Sequence, residues 1–202
     1  MISIVNYGVG NIKSLSNALN FLGINHEISS DPKLILRASK IIVPGVGSFN
    51  ATMQSLRRLG LDEAIIKVAE RGVPILGICL GMQLLLSRGY EGGVSDGLDL
   101  IKGEVKSLNP ESGIRIPHIG FNSTKYSNDC DLYSGMSDMP DFYYVHGFHA
   151  VPCNDADISA TFTYGANTYV ASIQSENIYG VQFHPEKSQG QGLRLLKNFI
   201  VR

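Results

Sequence analysis

One stretch in the middle of the chain constrains most of what the rest can fold into: Val73-Pro74-Ile75-Leu76-Gly77-Ile78-Cys79-Leu80-Gly81-Met82-Gln83. An apolar run of strand character meets a cysteine with Gly77 and Gly81 two residues to either side, and a helical pattern (Met82, Leu84, Leu85, Leu86) follows at once. Strand, sharp turn and helix in that order put Cys79 at the apex, the logic of the G-x-S-x-G nucleophile elbow with a thiol in place of a hydroxyl. Small flanking residues let the backbone take a strained turn without side-chain collisions. A thiol at a helix N-terminus is biased toward the thiolate by the helix dipole and the free amides. The competing reading is a buried cysteine in a core strand, the commoner fate of a lone cysteine.

A base for such a thiol lies more than a hundred residues later, in Tyr179-Gly180-Val181-Gln182-Phe183-His184-Pro185-Glu186. A strand over 178–183 ends at His184, and Pro185 biases His184 away from the α region. In an extended segment residues two apart face the same way, so His184 and Glu186 are expected side by side. That arrangement suits an imidazole held and tuned by a carboxylate, able to serve a cysteine elsewhere in space. A histidine at a strand end is otherwise an ordinary capping or surface residue; the pairing with Glu186 and the elbow favours the catalytic reading.

Between these motifs, strands and helices alternate. Residues 2–7 read as a buried strand; Gly8 and Gly10 turn into a helix with Ile12, Leu15, Leu19 and Leu22 at helical spacing, stopped by Gly23. The Gly8-x-Gly10 pair is no dinucleotide fingerprint, because Lys13 stands where the third glycine belongs. A second strand over 25–29, a short helix over 32–37, the buried strand Lys40-Ile41-Ile42-Val43 and helices over 50–59 and 61–71 lead to the elbow. This alternation predicts an α/β fold, a doubly wound, mostly parallel sheet flanked by helices. Ligands gather at the carboxyl ends of strands in such sheets, and Pro44, Cys79 and His184 all directly follow strands. Residues 87–97 read as a glycine-rich polar loop, and from 98 to 151 the pattern changes to antiparallel strands (100–106, 115–117, 141–149), an insertion of the kind that carries recognition. A hairpin (161–164 and 168–174) precedes the His184 strand, and a helix over 191–200 closes the chain.

Composition removes several function classes. At 202 residues, 44% of them hydrophobic, the chain suits a single domain spanning 1–202. A formal net charge of -1 with no basic cluster argues against nucleic acid. No apolar run reaches membrane-spanning length and no secretory leader is visible, so a reduced, cytoplasmic setting is expected. The three cysteines (Cys79, Cys130, Cys153) form neither a disulfide framework nor a metal spacing. His146 and His149 would face opposite sides of a strand and have no carboxylate or thiol beside them, so no metal and no other cofactor is expected.

GICLGMQ together with FHPE resembles the class I (triad) glutamine amidotransferases over nearly the whole chain. Three further segments resemble the glutaminase subunits of imidazole glycerol phosphate synthases: Ile4-Val5-Asn6-Tyr7-Gly8-Val9-Gly10-Asn11, Pro44-Gly45-Val46-Gly47 and Pro117-His118-Ile119-Gly120-Phe121-Asn122. The resemblance implies that Cys79, His184 and Glu186 hydrolyse L-glutamine through a thioester, with an oxyanion hole from backbone at Val46, Gly47 and Leu80. Gln83 and Glu91 then contact the substrate, Glu91 on its ammonium, and the backbone at Gly147 and Phe148 clamps its carboxylate. Pro117, His118, Phe121, Tyr143 and Lys187 are implied to meet a separate (β/α)8 cyclase subunit in a heterodimer. That subunit takes up the ammonia to make imidazole glycerol phosphate and aminoimidazole carboxamide ribotide in histidine biosynthesis. A barrel of about 250 residues has no room in this chain, so the partner is another polypeptide. The chain departs from that pattern at Phe121, where tryptophan is common, and at Gly147-Phe148, where a hydroxyl residue and tyrosine are usual. The alternative is a paralogous glutaminase subunit feeding a different synthase, such as one aminating a sugar nucleotide for surface polysaccharide. A stand-alone hydrolase of the same class and an inactive scaffold are the remaining readings.

Overall fold

Short runs of leucine and β-branched residues with no polar alternation make strands buried on both faces. The computed structural model describes residues 1–109, 115–127 and 130–202. In chain order the elements begin with β1 (Ile2–Val5), α1 (Ile12–Phe21), β2 (His26–Ser29), α2 (Pro32–Ile35), β3 (Lys40–Val43), α3 (Phe49–Leu59) and α4 (Leu61–Glu70). β4 (Ile75–Ile78), α5 (Leu80–Leu84), β5 (Leu86–Gly89), β6 (Ser95–Asp96), β7 (Ile101–Ser107) and β8 (His118–Tyr126) follow. The chain finishes with β9 (Asp141–His146), β10 (Phe148–Pro152), β11 (Ile158–Tyr164), β12 (Asn167–Ser175), β13 (Ile178–Val181) and α6 (Gln189–Val201).

One nine-stranded sheet carries the molecule, in the order β2-β1-β3-β4-β13-β12-β11-β8-β9. Its first five strands are parallel, and from β13 onward the pairings are antiparallel. A second, four-stranded sheet runs β10-β7-β5-β6. This is the expected α/β architecture, a mixed sheet flanked by helices. Successive side chains of the central strands feed opposite faces: Ile41 and Val43 join the core under α3 and α4, while Ile42 joins the core under α1 and α6. α3 starts where Ser48 Oγ accepts from the Ala51 amide and ends at Gly60, whose φ of 65° suits glycine.

Four expectations are corrected. The helix after Cys79 has only five residues, and the chain enters β5 at Leu86. Leu84, Leu85 and Leu86 are all fully buried, and an unbroken apolar run does not distinguish helix from strand. Residues 87–97 are a loop only in part, since β5 and β6 pair across them. Residues 115–117 form no strand, and β8 starts at His118, directly after a proline that cannot donate to a ladder. The aromatic segment 141–149 is two strands broken at Gly147: β9 joins the large sheet and β10 the small one. The residues on either side of that break, His146 and Phe148, line the same cavity as Cys79.

The turn from β4 into α5 depends on missing side chains. A Cβ on Gly77 would lie 2.6 Å from the Gly81 carbonyl oxygen, and one on Gly45 would lie 2.5 Å from the Gly81 amide nitrogen. A Cβ on Gly81 itself would overlap the Val43 carbonyl oxygen. Because both partners are backbone, no rotamer change relieves the clash. Gly81→Ala is therefore expected to cost about 4 kcal/mol or more of folding stability, read as a drop in the urea midpoint, or to leave no soluble folded protein.

Candidate active site

Cys79 sits between β4 and α5 with φ 55° and ψ -112°, a left-handed conformation that is strained for a side-chain-bearing residue. Its amide still donates to Val181 O at 2.7 Å, so the strand ladder holds the residue while the turn aims its thiol. Leu80 is the first residue of α5, and its amide has no partner within the helix. The thiol is 6% exposed, lies 3.9 Å from Val145 O and receives the Gln182 side-chain N–H at 3.7 Å. A single helical turn supplies less dipole than a longer helix does. Those two side-chain-scale contacts add to the setting of the sulfur.

His184 and Glu186 come together by a different route from the extended one expected. Residues Pro185–Lys187 form a 3-10 turn, which swings Glu186 back beneath the imidazole so that Oε1 sits 2.8 Å from Nδ1. Both side chains are 2% exposed. Oε1 also receives Asn11 Nδ2 at 3.1 Å, while His184 Nε2 and Glu186 Oε2 are buried with no hydrogen-bond partner among the described residues. Burial pushes the imidazolium toward losing its proton, but the Cys79 thiol and the Glu186 carboxylate outweigh it, and the His184 pKa is raised to about 10. Glu186 is the firmer cause, since Nδ1 is hydrogen-bonded to it whereas Nε2 makes no hydrogen bond.

A cavity of about 290 Å³ joins these groups. Its wall includes Cys79, Leu80 and His184 on one side, Val46 and Gly47 from the loop after β3, Gln83 and Glu91, and Pro117, His146, Gly147 and Phe148 over the top. Gly47 has φ 97°, outside the range of other residues. A larger open depression of about 660 Å³ at the start of α6 contains none of Cys79, His184 or Glu186, and chemistry follows the reactive groups rather than the volume. β9 completes the cavity because its edge is tied down: Tyr143 O accepts from the His184 amide at 2.8 Å, and the Tyr143 amide donates to Ser188 Oγ at 2.9 Å. A thiol, a carboxylate-held imidazole and free backbone amides around one small cavity are the equipment for acyl transfer.

The glutamine amidotransferase class-I family model matches residues 3–202. The chain belongs to the class-I glutamine amidotransferases. It is 48% identical over 198 residues to the imidazole glycerol phosphate synthase subunit HisH of Moorella thermoacetica, covering 98% of this chain and 93% of that one. It is 46% identical over 201 residues to subunit HisH 1 of Campylobacter jejuni (strain RM1221), covering 99% of each. A solved glutamine amidotransferase superposes with a TM-score of 0.77 at 16% identity, covering 100% and 98% of the two chains. PurLQS from Thermotoga maritima gives 0.75 at 20% identity, covering 99% and 97%. The last two bear on fold alone.

In this amidotransferase the predicted substrate residues all reach the cavity, and two of them are anchored. Glu91 Oε2 accepts from the Phe49 amide at 2.7 Å, holding the carboxylate at the start of α3. Gln83 Nε2 donates to Phe148 O and to Gln182 Oε1, each at 3.0 Å. Of the predicted partner residues, Phe121, Tyr143 and Lys187 share one face. Phe121 is 52% exposed, its ring lies 5.6 Å from that of Tyr143, and Lys187 Nζ lies 5.6 Å over the Tyr143 ring. Pro117 lines the cavity mouth and is exposed. His118 points the other way, 3% exposed and stacked on Tyr144 and Phe162, so its side chain offers a partner no surface. Strand alternation explains the difference, since His118 and Phe121 lie on opposite faces of β8.

Three contributors escaped the sequence. Asn11 precedes α1 yet makes no side-chain cap, and its side-chain N–H donates instead to Glu186 Oε1. Tyr7 donates its hydroxyl to the Pro44 carbonyl and so ties down the loop before Val46. Gln182, fully buried, links Gln83 to the sulfur. All three stand in or beside the motif segments, Tyr7 and Asn11 within residues 4–11 and Gln182 directly before FHPE, but nothing local to any of them names its partner.

The raised pKa of His184 carries a stability signature. A group whose folded pKa exceeds its unfolded value of about 6.5 stabilises the fold fully below that pH and loses the contribution as pH rises through about 10. Urea denaturation of wild type and Glu186→Gln is expected to differ more near about pH 6 than near about pH 10, with the imidazole NMR resonance of the variant titrating at lower pH. Equal differences at both pH values would contradict the assignment.

Proposed function

We propose that this single domain, residues 1–202, is the glutaminase subunit of an imidazole glycerol phosphate synthase, working in the cytoplasm. The observation that carries the reading is the strained Cys79 sharing one small cavity with His184, itself hydrogen-bonded to Glu186. Cys79, its proton passed to His184 Nε2, attacks the side-chain amide carbon of glutamine through Sγ, and the developing oxyanion is met by backbone amides of Leu80 and of the Val46-Gly47 loop. His184 transfers a proton from Nε2 to the leaving nitrogen, so that ammonia departs and a γ-glutamyl thioester remains. His184 then takes a proton from water as it adds to the thioester, and glutamate leaves with the thiol regenerated. Glu186, steadied by Asn11, keeps the imidazole in the productive tautomer throughout.

Glu91 suits the substrate ammonium, being a carboxylate already fixed in place, and the backbone at Gly147 and Phe148 faces the same space as a clamp for the substrate carboxylate. The relatives are named as synthase subunits, which supports delivery of the ammonia to a partner. The reading adopts a (β/α)8 cyclase that produces imidazole glycerol phosphate and aminoimidazole carboxamide ribotide. Phe121, Tyr143 and Lys187, clustered on one face and not buried by the chain's own atoms, are the surface proposed to receive it, with Pro117 at the cavity rim. No helix among the described residues is long and apolar enough to cross a membrane.

Glutamate release by the chain, alone and with the histidine-pathway cyclase subunit carrying its ribotide ligand, tests both parts. Strong stimulation by the cyclase is expected, and Cys79→Ala should lower the rate by on the order of 10⁴-fold or more. Full activity in Cys79→Ala would remove the thioester mechanism. Glutaminase activity indifferent to this cyclase would instead favour a paralogue serving another synthase, the reading suggested by Gly147-Phe148 and Phe121.

A further inference from the structure

Two buried histidines outside the reaction scheme form a directional hydrogen-bond chain that ends at the substrate cavity. His146 Nδ1 lies 2.8 Å from Phe148 O. A carbonyl can only accept, so the proton of His146 is on Nδ1 and its Nε2 is an acceptor. His118 Nδ1 lies 3.3 Å from that Nε2 and must be the donor, which leaves His118 Nε2 to accept from Asn122 Nδ2 at 3.5 Å. The two histidines are direct neighbours across β8 and β9. Desolvation keeps both neutral, lowering the pKa of His118 to about 4 and of His146 to about 3. Every link therefore has one sense, from Asn122 through His118 and His146 to Phe148 O.

The consequence lies at Gln83. Phe148 O receives both His146 Nδ1–H and Gln83 Nε2–H, and the second N–H of Gln83 goes to Gln182 Oε1. A primary amide has two donors, and both are spent facing inward. Only its carbonyl oxygen is left for whatever enters the cavity that Gln83 lines.

We propose that His146, held as its Nδ1–H tautomer by His118, is a positioning residue that fixes the Phe148 carbonyl and with it the Gln83 amide, so that Gln83 presents an acceptor to the substrate's N–H groups. This rests on the glutaminase reading above and adds to it a reason for preferring an amide-bearing or ammonium-bearing substrate at that wall. Neither histidine touches the reacting atoms; His146 acts through Phe148 O and Gln83.

Nitrogen NMR of the imidazole rings in the ¹⁵N-labelled wild-type chain reads the tautomers directly, independently of activity. Nδ1–H is expected for both His118 and His146 between about pH 6 and 8, and an Nε2–H tautomer at His146 would overturn the proposal. In the complex with the cyclase subunit and its ribotide ligand, His146→Phe should raise KM for glutamine by about tenfold, the worth of one buried hydrogen bond. The alkylation rate of Cys79 by iodoacetamide should stay within about twofold, since thiol chemistry is not what His146 supplies. His146→Asn, which keeps a donor near the Nδ1 position, should recover most of the KM. An unchanged KM in His146→Phe, or equal losses in both variants, would reduce His146 to packing. Absence of glutaminase activity in the wild-type complex would strike the function reading alone, with the tautomer result still deciding the geometry.

Discussion

The close approach of Gly81 to the Val43 carbonyl is the contact on which the rest of the structure depends. With no side chain at Gly45, Gly77 or Gly81, the first turn of α5 can lie directly against the ends of β3 and β4. That proximity puts the Leu80 amide and the loop at Val46 and Gly47 around one sulfur. It also forces Cys79 into a left-handed conformation that no local preference would choose. The strain persists because neighbouring strands over-determine it: the Cys79 amide is bonded to β13, and Gly180 on that strand lets Met82 pack close.

Burying a titratable pair beside this turn is costly unless the pair is well hydrogen-bonded. His184 and Glu186 meet that condition through contacts from two distant parts of the chain and one nearby residue. Asn11 supports the carboxylate, Tyr143 accepts from the His184 amide, and Ser188 Oγ donates to the His184 carbonyl at 2.7 Å. Of the two atoms left without a partner among the described residues, Nε2 belongs to the side chain that lines the cavity with Cys79. A similar economy governs the cavity roof, where the neutral pair His118 and His146 spends its donors in one direction and leaves Gln83 with a defined polarity.

Several of these features were readable in advance and others were not, for reasons that differ residue by residue. The elbow was legible because Gly77 and Gly81 bracket Cys79 at a spacing that only backbone crowding explains. His184 and Glu186 were legible as a pair, though by the wrong geometry, since Pro185 starts a 3-10 turn where an extended segment was expected. The all-leucine run after Gln83 carries no period, so the early end of α5 and the switch into β5 could not be read from it. Asn11 stands directly before α1, where asparagine commonly caps a helix, and nothing local marks its carboxylate partner 175 residues away. His118 sat in a segment expected to face a partner, and only strand register turned it inward.

The alternation of strands and helices up to the elbow, the cysteine at its apex, the pairing of His184 with Glu186 and the glycine positions that permit the turn were determined by the sequence alone, because each is expressed in local spacing and residue type. Which groups meet was decided by the tertiary structure. The bonding of β9 to His184 and Ser188, the carboxylate anchored at the start of α3 and the histidine chain at the cavity join residues tens of positions apart. Hydrogen bonds of that range leave no mark on local pattern, and burial alone makes them strong enough to set a site.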